Sequence, residues 1–183
     1  MARDICTRLG ATSMTDTTIS ETSILELRPQ PTIAVRIQQP MAELDLAKAF
    51  DRFLPAAFQR AQEIGAEPAG APFGRYHRFA PDLVDVEIGV PVVALPAGLA
   101  PLASVPAGEF GASELPGGPV ARTIHRGSFD GLPAAYDALH SWIHEQPGVD
   151  DGDGPWESYV DDPSTVSDPS QLRTEITWPL RRT

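Results

Sequence analysis

An internal duplication constrains the fold of this chain more than any other feature of its sequence. Three short segments of the first half recur in the second half in the same order. The paired segments are LPAAF (54–58) with LPAAY (132–136), PFGRY (72–76) with PWESY (155–159), and EIGVPV (87–92) with EITWPL (175–180). Repeats that keep their order are typical of a chain built from two copies of one unit. We predict unit one over about residues 31–94, a linker over about 95–117, and unit two over about 118–183.

Each unit has the pattern of a strand, a helix and two further strands. Residues 32–37 and 120–125 are rich in β-branched side chains and predict the opening strands. Residues 84–92 and 172–180 alternate apolar and polar side chains, which predicts closing strands with one face of each kind. We expect the helices to cover the apolar face and the polar face to remain bare as a groove. The Pro- and Gly-rich linker predicts a long connection with one added strand near residues 110–115.

The helix of unit two is defined by apolar residues at helical spacing, namely Leu132, Tyr136, Leu139 and Ile143. Pro133 fits its first turn, Asp130 is the predicted N-cap, and Pro147-Gly148 predicts its end. In unit one, Pro55 predicts the same first turn and Gly65 a C-cap. Residues 44–53 predict an additional helical segment before it.

Composition limits the classes of function. The chain has 183 residues, a formal net charge of −11 and a pI of about 4.6, and no basic patch for a phosphate backbone. Cys6 is the single cysteine, which excludes an intramolecular disulfide framework. No run is apolar enough for a membrane span or a secretory signal, so we expect a cytoplasmic protein. Residues 1–28 predict a disordered or loosely ordered leader, too short for a DNA-binding helix-turn-helix.

Motifs for common cofactors and catalytic devices are missing from the sequence. It contains no phosphate-binding loop, no nucleophile elbow and no recognisable His/Cys metal cluster. The acidic run 150–154 lacks the Gly-x5-Glu spacing of a calcium loop and predicts a turn. We therefore expect no cofactor and no metal.

Several motifs together resemble the GyrI-like small-molecule-binding family, the effector-binding domain of BmrR-type drug sensors. They are ELPGGPVA (114–121), H-x-G-x-F (125–129), SWI (141–143), RYH (75–77), VEIGVPV (86–92), WE-x-Y (156–159), and TEI with PL (174–176, 179–180). The resemblance covers residues 29–183. It implies an α+β fold in which the two units form a pseudo-two-fold, curved antiparallel sheet with two main helices on one face. It also implies a ligand cleft between the units, and it matches Glu157 to the pocket glutamate that holds organic cations in the drug sensors.

The residues themselves support a site at that position. Glu157 and Tyr159 are two apart in a strand and share a face, and Gly74 and Tyr76 are their counterparts in unit one. One carboxylate, two phenols and the gap left by the glycine should surround the pseudo-two-fold axis. The gap would leave room for a bound ligand. Flat aromatic rings and a carboxylate suit a planar or quaternary cation.

Other candidate residues are less clearly placed by the pattern. Trp156 and Phe73 lie on the other face of regular strands, although bulges could turn either inward. Glu87 and Glu175 fall on the polar face, either solvated, paired with arginines, or lining the cleft. His125 is predicted to order the turn before the second helix. His77 points away from Tyr76 in a regular strand and is left out of the site.

Three hypotheses of function follow. The first is a binding protein that captures hydrophobic, cationic or aromatic small molecules without contacting nucleic acid or membrane. The second is a cofactor-free hydrolase that opens cyclopropane-bearing or similar electrophilic toxins, as the resemblance implies for some stand-alone members. Glu157 would activate water and Tyr76 or Tyr159 would donate a proton. The third is a protein that docks on a partner such as gyrase, as the family's namesake does.

Overall fold

The structure is a computed structural model that describes residues 18–19 and 22–183. Its two helices are α1 (Leu46–Glu63) and α2 (Leu132–His144). Its strands are β1 (Thr18–Ile19), β2 (Ser23–Leu27), β3 (Gln30–Gln39), β4 (Phe73–Ala80), β5 (Leu83–Pro91), β6 (Gly111–Leu115), β7 (Gly118–Arg126), β8 (Val149–Asp151), β9 (Trp156–Tyr159) and β10 (Arg173–Arg182). These strands form one antiparallel sheet, which confirms the predicted α+β class.

The order of strands in the sheet reflects the duplication. Unit one contributes the neighbours β4, β5 and β3, and unit two contributes β9, β10 and β7 in the equivalent order. The two units meet where β4 pairs with β9, so the second strand of each unit lies at the seam. A two-fold operation about this seam exchanges β3 with β7, β4 with β9, and β5 with β10. The predicted duplicated strand-helix-strand-strand architecture is therefore confirmed.

The short strand before each unit pairs with the opposite unit. Strand β2 precedes β3 in the chain but pairs with β7, and β6 precedes β7 but pairs with β3. Each of these strands has five residues. The exchange links the two units at both ends of the sheet. Strand β6 confirms the added strand predicted in the linker, whereas β2 lies within residues 1–28, where the sequence predicts a loosely ordered leader. Residues 1–17 and 20–21 of that leader lie outside the described residues.

Helix α1 is one continuous helix that includes most of the additional segment predicted over residues 44–53. It begins at Leu46 after the N-cap Asp45, whose carboxylate accepts a hydrogen bond from the Lys48 amide at 3.1 Å. Pro55 lies inside the helix, so the prediction that it marks the first turn is wrong. A proline costs about 3 kcal/mol within a helix, and packing of the preceding turns against the sheet offsets that cost. The C-cap is Ile64, and Gly65 follows it with a φ of +70°.

Helix α2 confirms the predicted apolar positions and the proline in its first turn. Leu132, Leu139 and Ile143 are buried against β7 and β10. Its N-cap is Gly131, without a capping side chain, because a short 3-10 turn over Phe129–Gly131 precedes it. The prediction of Asp130 as the N-cap is therefore wrong.

The strand registers place both helices on one face of the sheet, as predicted. The alternating apolar residues of β5 are fully buried on that face. The opposite face carries no α-helix, but much of it is covered. A 3-10 turn over Leu102–Ser104 packs Leu102 into an apolar cluster with Ala34, Phe73 and Trp156. The expectation of a solvated polar face is therefore wrong for β5, where Asp85 and Glu87 are only 6% and 5% exposed.

Candidate functional site

The candidate site lies at the seam between the two units. Glu157 on β9 stands directly opposite Gly74 on β4, the position that the repeat predicts as its counterpart. Glu157 also pairs with Ile176 on β10, whose side chain packs under α2. The carboxylate therefore lies on the helix-bearing face, between α1 and α2.

Tyrosine side chains surround this carboxylate. The Tyr159 hydroxyl donates a hydrogen bond of 2.8 Å to Oε2 of Glu157. The Tyr76 hydroxyl lies beside that of Tyr159. Tyr136 from α2 approaches the same carboxylate closely enough to lower its pKa, but it forms no well-aligned hydrogen bond. Both halves of the chain thus contribute phenols to one buried acid.

Burial dominates the electrostatics of the cluster. Glu157 is 5% exposed, and burial raises its pKa from an ordinary 4.5 to about 7, although the hydroxyls of Tyr159 and Tyr136 lower it. Among the described residues, no Lys, Arg or His side chain forms an ion pair with Glu157. Burial and the nearby carboxylate raise the pKa of all three tyrosines, which therefore remain neutral donors.

The gap opposite the carboxylate is filled by an aromatic ring. A methyl group added at Gly74 would lie 2.6 Å from Cζ of Phe50 and 3.1 Å from the Tyr159 hydroxyl. Phe50 comes from α1 and packs edge-on against Tyr159, with ring centroids 5.4 Å apart. The prediction that Gly74 leaves an open space is therefore wrong: glycine is needed here because Phe50 occupies that space. Phe129 packs on Tyr159 with a centroid distance of 5.9 Å and is 44% exposed, which places an aromatic ring between the cluster and solvent.

The other predicted candidates lie on the opposite face of the sheet. Phe73 and Trp156 are buried in the apolar cluster of that face, without a bulge that turns them inward. Glu87 accepts hydrogen bonds from His77 at 2.9 Å and from Ser113 at 3.0 Å. Glu175 forms an ion pair with Arg122 at 3.3 Å. The structure therefore brings together Glu157, Tyr159, Tyr76 and Gly74, and separates them from these four residues.

Glu87 and Glu157 are buried acids in opposite electrostatic settings. Burial alone would raise the pKa of Glu87, but its hydrogen bonds from His77 and Ser113 outweigh burial and hold that pKa below the ordinary value. Within the described part of the chain, Glu157 has only neutral donors, and its pKa is raised. The described residues thus compensate the charge of Glu87 but not that of Glu157.

Two surface depressions lie away from the Glu157 cluster. One, of about 380 Å³, is on the helix-free face and is lined by Arg122, Trp156 and Glu175 among others. The other, of about 350 Å³, lies beside the start of α1 and is lined by Arg36, Lys48 and others. Neither contains a buried carboxylate that lacks a partner, so the Glu157 cluster remains the stronger candidate site.

His125 and His77 each make a local contact away from Glu157. The His125 ring contacts the Ser128 carbonyl at 2.9 Å, which confirms that it orders the turn before α2. His77 sits at a bulge in β4 and contacts Glu87, away from Glu157.

Three side chains of the candidate site and one cluster of potential metal ligands were not identified from the sequence. Tyr136 was apparent in the sequence only as an apolar position of the second helix, Phe129 as part of the H-x-G-x-F motif, and Phe50 as one residue of the predicted helical segment 44–53. His140, His144 and Asp151 lie together at the far end of α2, although the sequence shows no recognisable metal cluster. The usable signal was the four-residue spacing of the two histidines, which places both on one helix face.

Comparison with known proteins assigns the family. The model of the GyrI-like small molecule binding domain matches residues 20–181, and the chain therefore belongs to this family of small-molecule-binding domains. No curated protein sequence matches the chain significantly. No helix among the described residues is long and apolar enough to cross a membrane.

Solved structures share the fold. The C-terminal domain of EcmrR has a TM-score of 0.71 and 21% identity, with 89% of this chain and 98% of that domain covered. In the EcmrR–DNA complex the match spans 58% of the longer EcmrR chain, again at a TM-score of 0.71. SAV2435 bound to tetraphenylphosphonium has a TM-score of 0.55 and 14% identity, covering 88% of this chain and 94% of that one. A structure described as a hydrolase from Listeria innocua has a TM-score of 0.58 and 11% identity, covering 88% and 92%.

Proposed function

We propose that this protein binds hydrophobic organic cations at the seam between its units, with Glu157 as the counter-charge. The observation that carries the proposal is a buried carboxylate that accepts hydrogen bonds only from neutral phenols and has no cationic partner in the described part of the chain. An ionised group without a partner is costly in a protein interior. A bound cation would compensate this charge.

The surrounding rings suit such a ligand. A cation without N–H donors is held by Coulomb attraction to the carboxylate and by contact with aromatic faces. Each cation–π contact is worth about 2 kcal/mol or more in a desolvated site. Tyr76, Tyr136 and Tyr159 provide these rings, with Phe50 and Phe129 beside them. The structure of SAV2435 with tetraphenylphosphonium supports the proposal by likeness of fold, since that compound is a hydrophobic aromatic cation.

Entry of a ligand requires movement of an aromatic side chain. Phe50 fills the space above Gly74, and Phe129 lies between Tyr159 and solvent. Phe50 is only half-buried, so its ring can turn outward without unfolding α1. The bound ligand would take the place of the Phe50 ring and stack on Tyr159.

The direct test is equilibrium binding of a fluorescent lipophilic cation to wild type, Glu157→Gln and Glu175→Gln. Glu175 is the matched control, because it is a glutamate on β10, the strand next to β9, but lies on the opposite face and is paired with Arg122. We expect Glu157→Gln to weaken binding by at least about 10-fold and Glu175→Gln to leave it nearly unchanged. Equal affinity of wild type and Glu157→Gln would show that the carboxylate is not the counter-charge.

A second candidate function is hydrolysis of a strained electrophile. The observation that favours it is the pKa of about 7 at Glu157, which suits a general base near neutral pH. Glu157 would take a proton from water as the water attacks, and a phenol of the cluster would donate a proton to the opened ring. The test is incubation with a cyclopropane-bearing alkylator and detection of the water adduct by mass spectrometry. Turnover by wild type and its loss in Glu157→Gln would support hydrolysis, and unchanged compound at high protein concentration would exclude it for that substrate.

A further inference from the structure

The C-terminal half of α2 carries a second cluster of potential ligand atoms. It consists of imidazole and carboxylate groups, whereas the site around Glu157 is lined by phenols. Nε2 of His140 and Nε2 of His144 lie 3.0 Å apart. Oδ1 of Asp151 on β8 lies 3.5 Å from Nε2 of His144 and 4.0 Å from Nε2 of His140. We propose that these three side chains form a binding site for a divalent transition-metal ion of the Zn²⁺ class.

The separations match the size of a tetrahedral metal site. Two ligand atoms bound about 2.1 Å from a zinc ion at tetrahedral angles are about 3.4 Å apart. The three observed separations, 3.0, 3.5 and 4.0 Å, bracket this value. An ion at the centre would reach all three atoms with side-chain shifts of a few tenths of an ångström, and no backbone movement is required.

The donor set selects the class of ion. Two imidazoles and one carboxylate suit zinc, copper or nickel, whereas calcium and magnesium prefer a full set of oxygen ligands. Three protein ligands leave one tetrahedral position for water or an external ligand. This is the arrangement of an open zinc site rather than of a closed structural one.

The surrounding contacts hold the three ligands in place. Strand β8 is fixed to β10, where Asp151 pairs with Leu180, and the Trp178 indole donates to the Gly152 carbonyl at 2.9 Å. The His140 ring lies on Trp178 with a centroid distance of 5.5 Å. Oδ1 of Asp150 lies 3.7 Å from Nδ1 of His144, where it adds negative charge beside the ring. The ligands thus come from two elements joined through a common strand.

The site is accessible from solvent. His140 and His144 side chains are 47% and 48% exposed, so an ion can enter without a change in fold. The same exposure means that substitution of these residues removes little packing. Loss of binding in a variant would therefore report loss of a ligand rather than loss of structure.

The test is calorimetric titration of untagged, metal-stripped full-length protein with Zn²⁺, and with Ca²⁺ for comparison. We expect one Zn²⁺ per chain, no comparable Ca²⁺ binding, and a rise in the thermal midpoint with added Zn²⁺. His144→Ala and Asp151→Asn should each weaken Zn²⁺ binding by more than about 10-fold. Asp153→Asn is the matched control, since it removes a charge from the same acidic segment, and Cys6→Ser removes the single thiol; both should bind as wild type does.

Histidine side-chain NMR provides the second readout. The ring resonances of His140 and His144 should shift in step with one equivalent of Zn²⁺, and those of His77 and His125 should not. Absence of saturable binding, unchanged affinity in His144→Ala and Asp151→Asn, or shifts centred on His77 or His125 would overturn the proposal.

Discussion

The Tyr159 hydroxyl donates a 2.8 Å hydrogen bond to the carboxylate of Glu157, two residues earlier on the same strand face. This bond joins a carboxyl group whose pKa burial raises to about 7 to a phenol that stays neutral. Because the donor is uncharged, the bond only partly compensates for burial of the acid.

Cation binding should depend on pH through Glu157. Its pKa is about 7 in the free protein, and a cation binds the ionised form, so affinity should rise as pH increases through neutrality. From about pH 5.5 to about pH 8.5 we expect an increase on the order of 10-fold, which dye titration across this range would measure. In Glu157→Gln the affinity should be low and nearly independent of pH. A wild-type affinity that is flat over the same range would contradict the assignment.

The two buried glutamates should affect stability with opposite signs. The folded-state pKa of Glu157 is raised, so wild type loses stability as pH rises from the unfolded value of 4.5 to about 7. Glu157→Gln removes this loss and should be more stable than wild type above about pH 8, by up to about 3 kcal/mol, and nearly equal to it below about pH 4.

Glu87 should show the reverse pattern. Its folded-state pKa is lowered, so its contribution to stability is present above the unfolded value and is lost as pH falls through the folded value. Glu87→Gln should therefore destabilise the protein at neutral pH, by about 1–3 kcal/mol, and less in acid. Urea unfolding of wild type and both variants at several pH values measures these differences. The same sign for both variants at neutral pH would refute the opposite settings of the two acids.

The phenols should differ in their influence on Glu157. Tyr159 forms a well-aligned hydrogen bond to the carboxylate, whereas Tyr136 approaches without one. Tyr159→Phe should therefore raise the pKa of Glu157 more than Tyr136→Phe does, and it should cost about 1–2 kcal/mol of stability. The pH midpoint of dye binding in each variant measures the shift. A larger effect from Tyr136→Phe would mean that the hydrogen bonds of the cluster are arranged differently.

Phe50 should control access to the carboxylate. Its ring occupies the space above Gly74, so Phe50→Ala should open that space and speed association of a bulky cation, with a loss of roughly 2 kcal/mol in stability for the half-buried ring. Gly74→Ala should slow association, because its added methyl group would occupy part of the space that the cation enters. Stopped-flow fluorescence gives the association rates. Phe58→Ala, which removes a half-buried ring elsewhere on α1, is the control and should leave the rate unchanged.

Much of the fold could be predicted from the sequence because the duplication and the two-residue alternation are local signals. They define the strand-helix-strand-strand units, the shared face of Glu157 and Tyr159, and the counterparts Gly74 and Tyr76. The start of α1 could not be predicted from Pro55, since packing of the preceding turns outweighs the local cost of proline. The burial of Glu87 was missed because it depends on a turn and a strand supplied by the linker.

The candidate site was predicted only in part for a similar reason. Repeat symmetry relates backbone positions, and it correctly placed the carboxylate opposite a glycine. It does not show which distant side chain fills the space above that glycine, and Phe50 does so from helix α1 of the same unit. Likewise, the pairing of His140 and His144 with Asp151 depends on β8, which the sequence presented as an acidic turn.

The central claim is that Glu157 is a buried acid whose charge a cationic ligand compensates. Carboxyl-selective ¹³C NMR titration of Glu157, in free protein and with saturating tetraphenylphosphonium, measures this directly. We predict a pKa near 7 in the free protein and a fall of at least about one unit when the cation is bound. A free value near 4.5, or the same value with and without the cation, would contradict the claim.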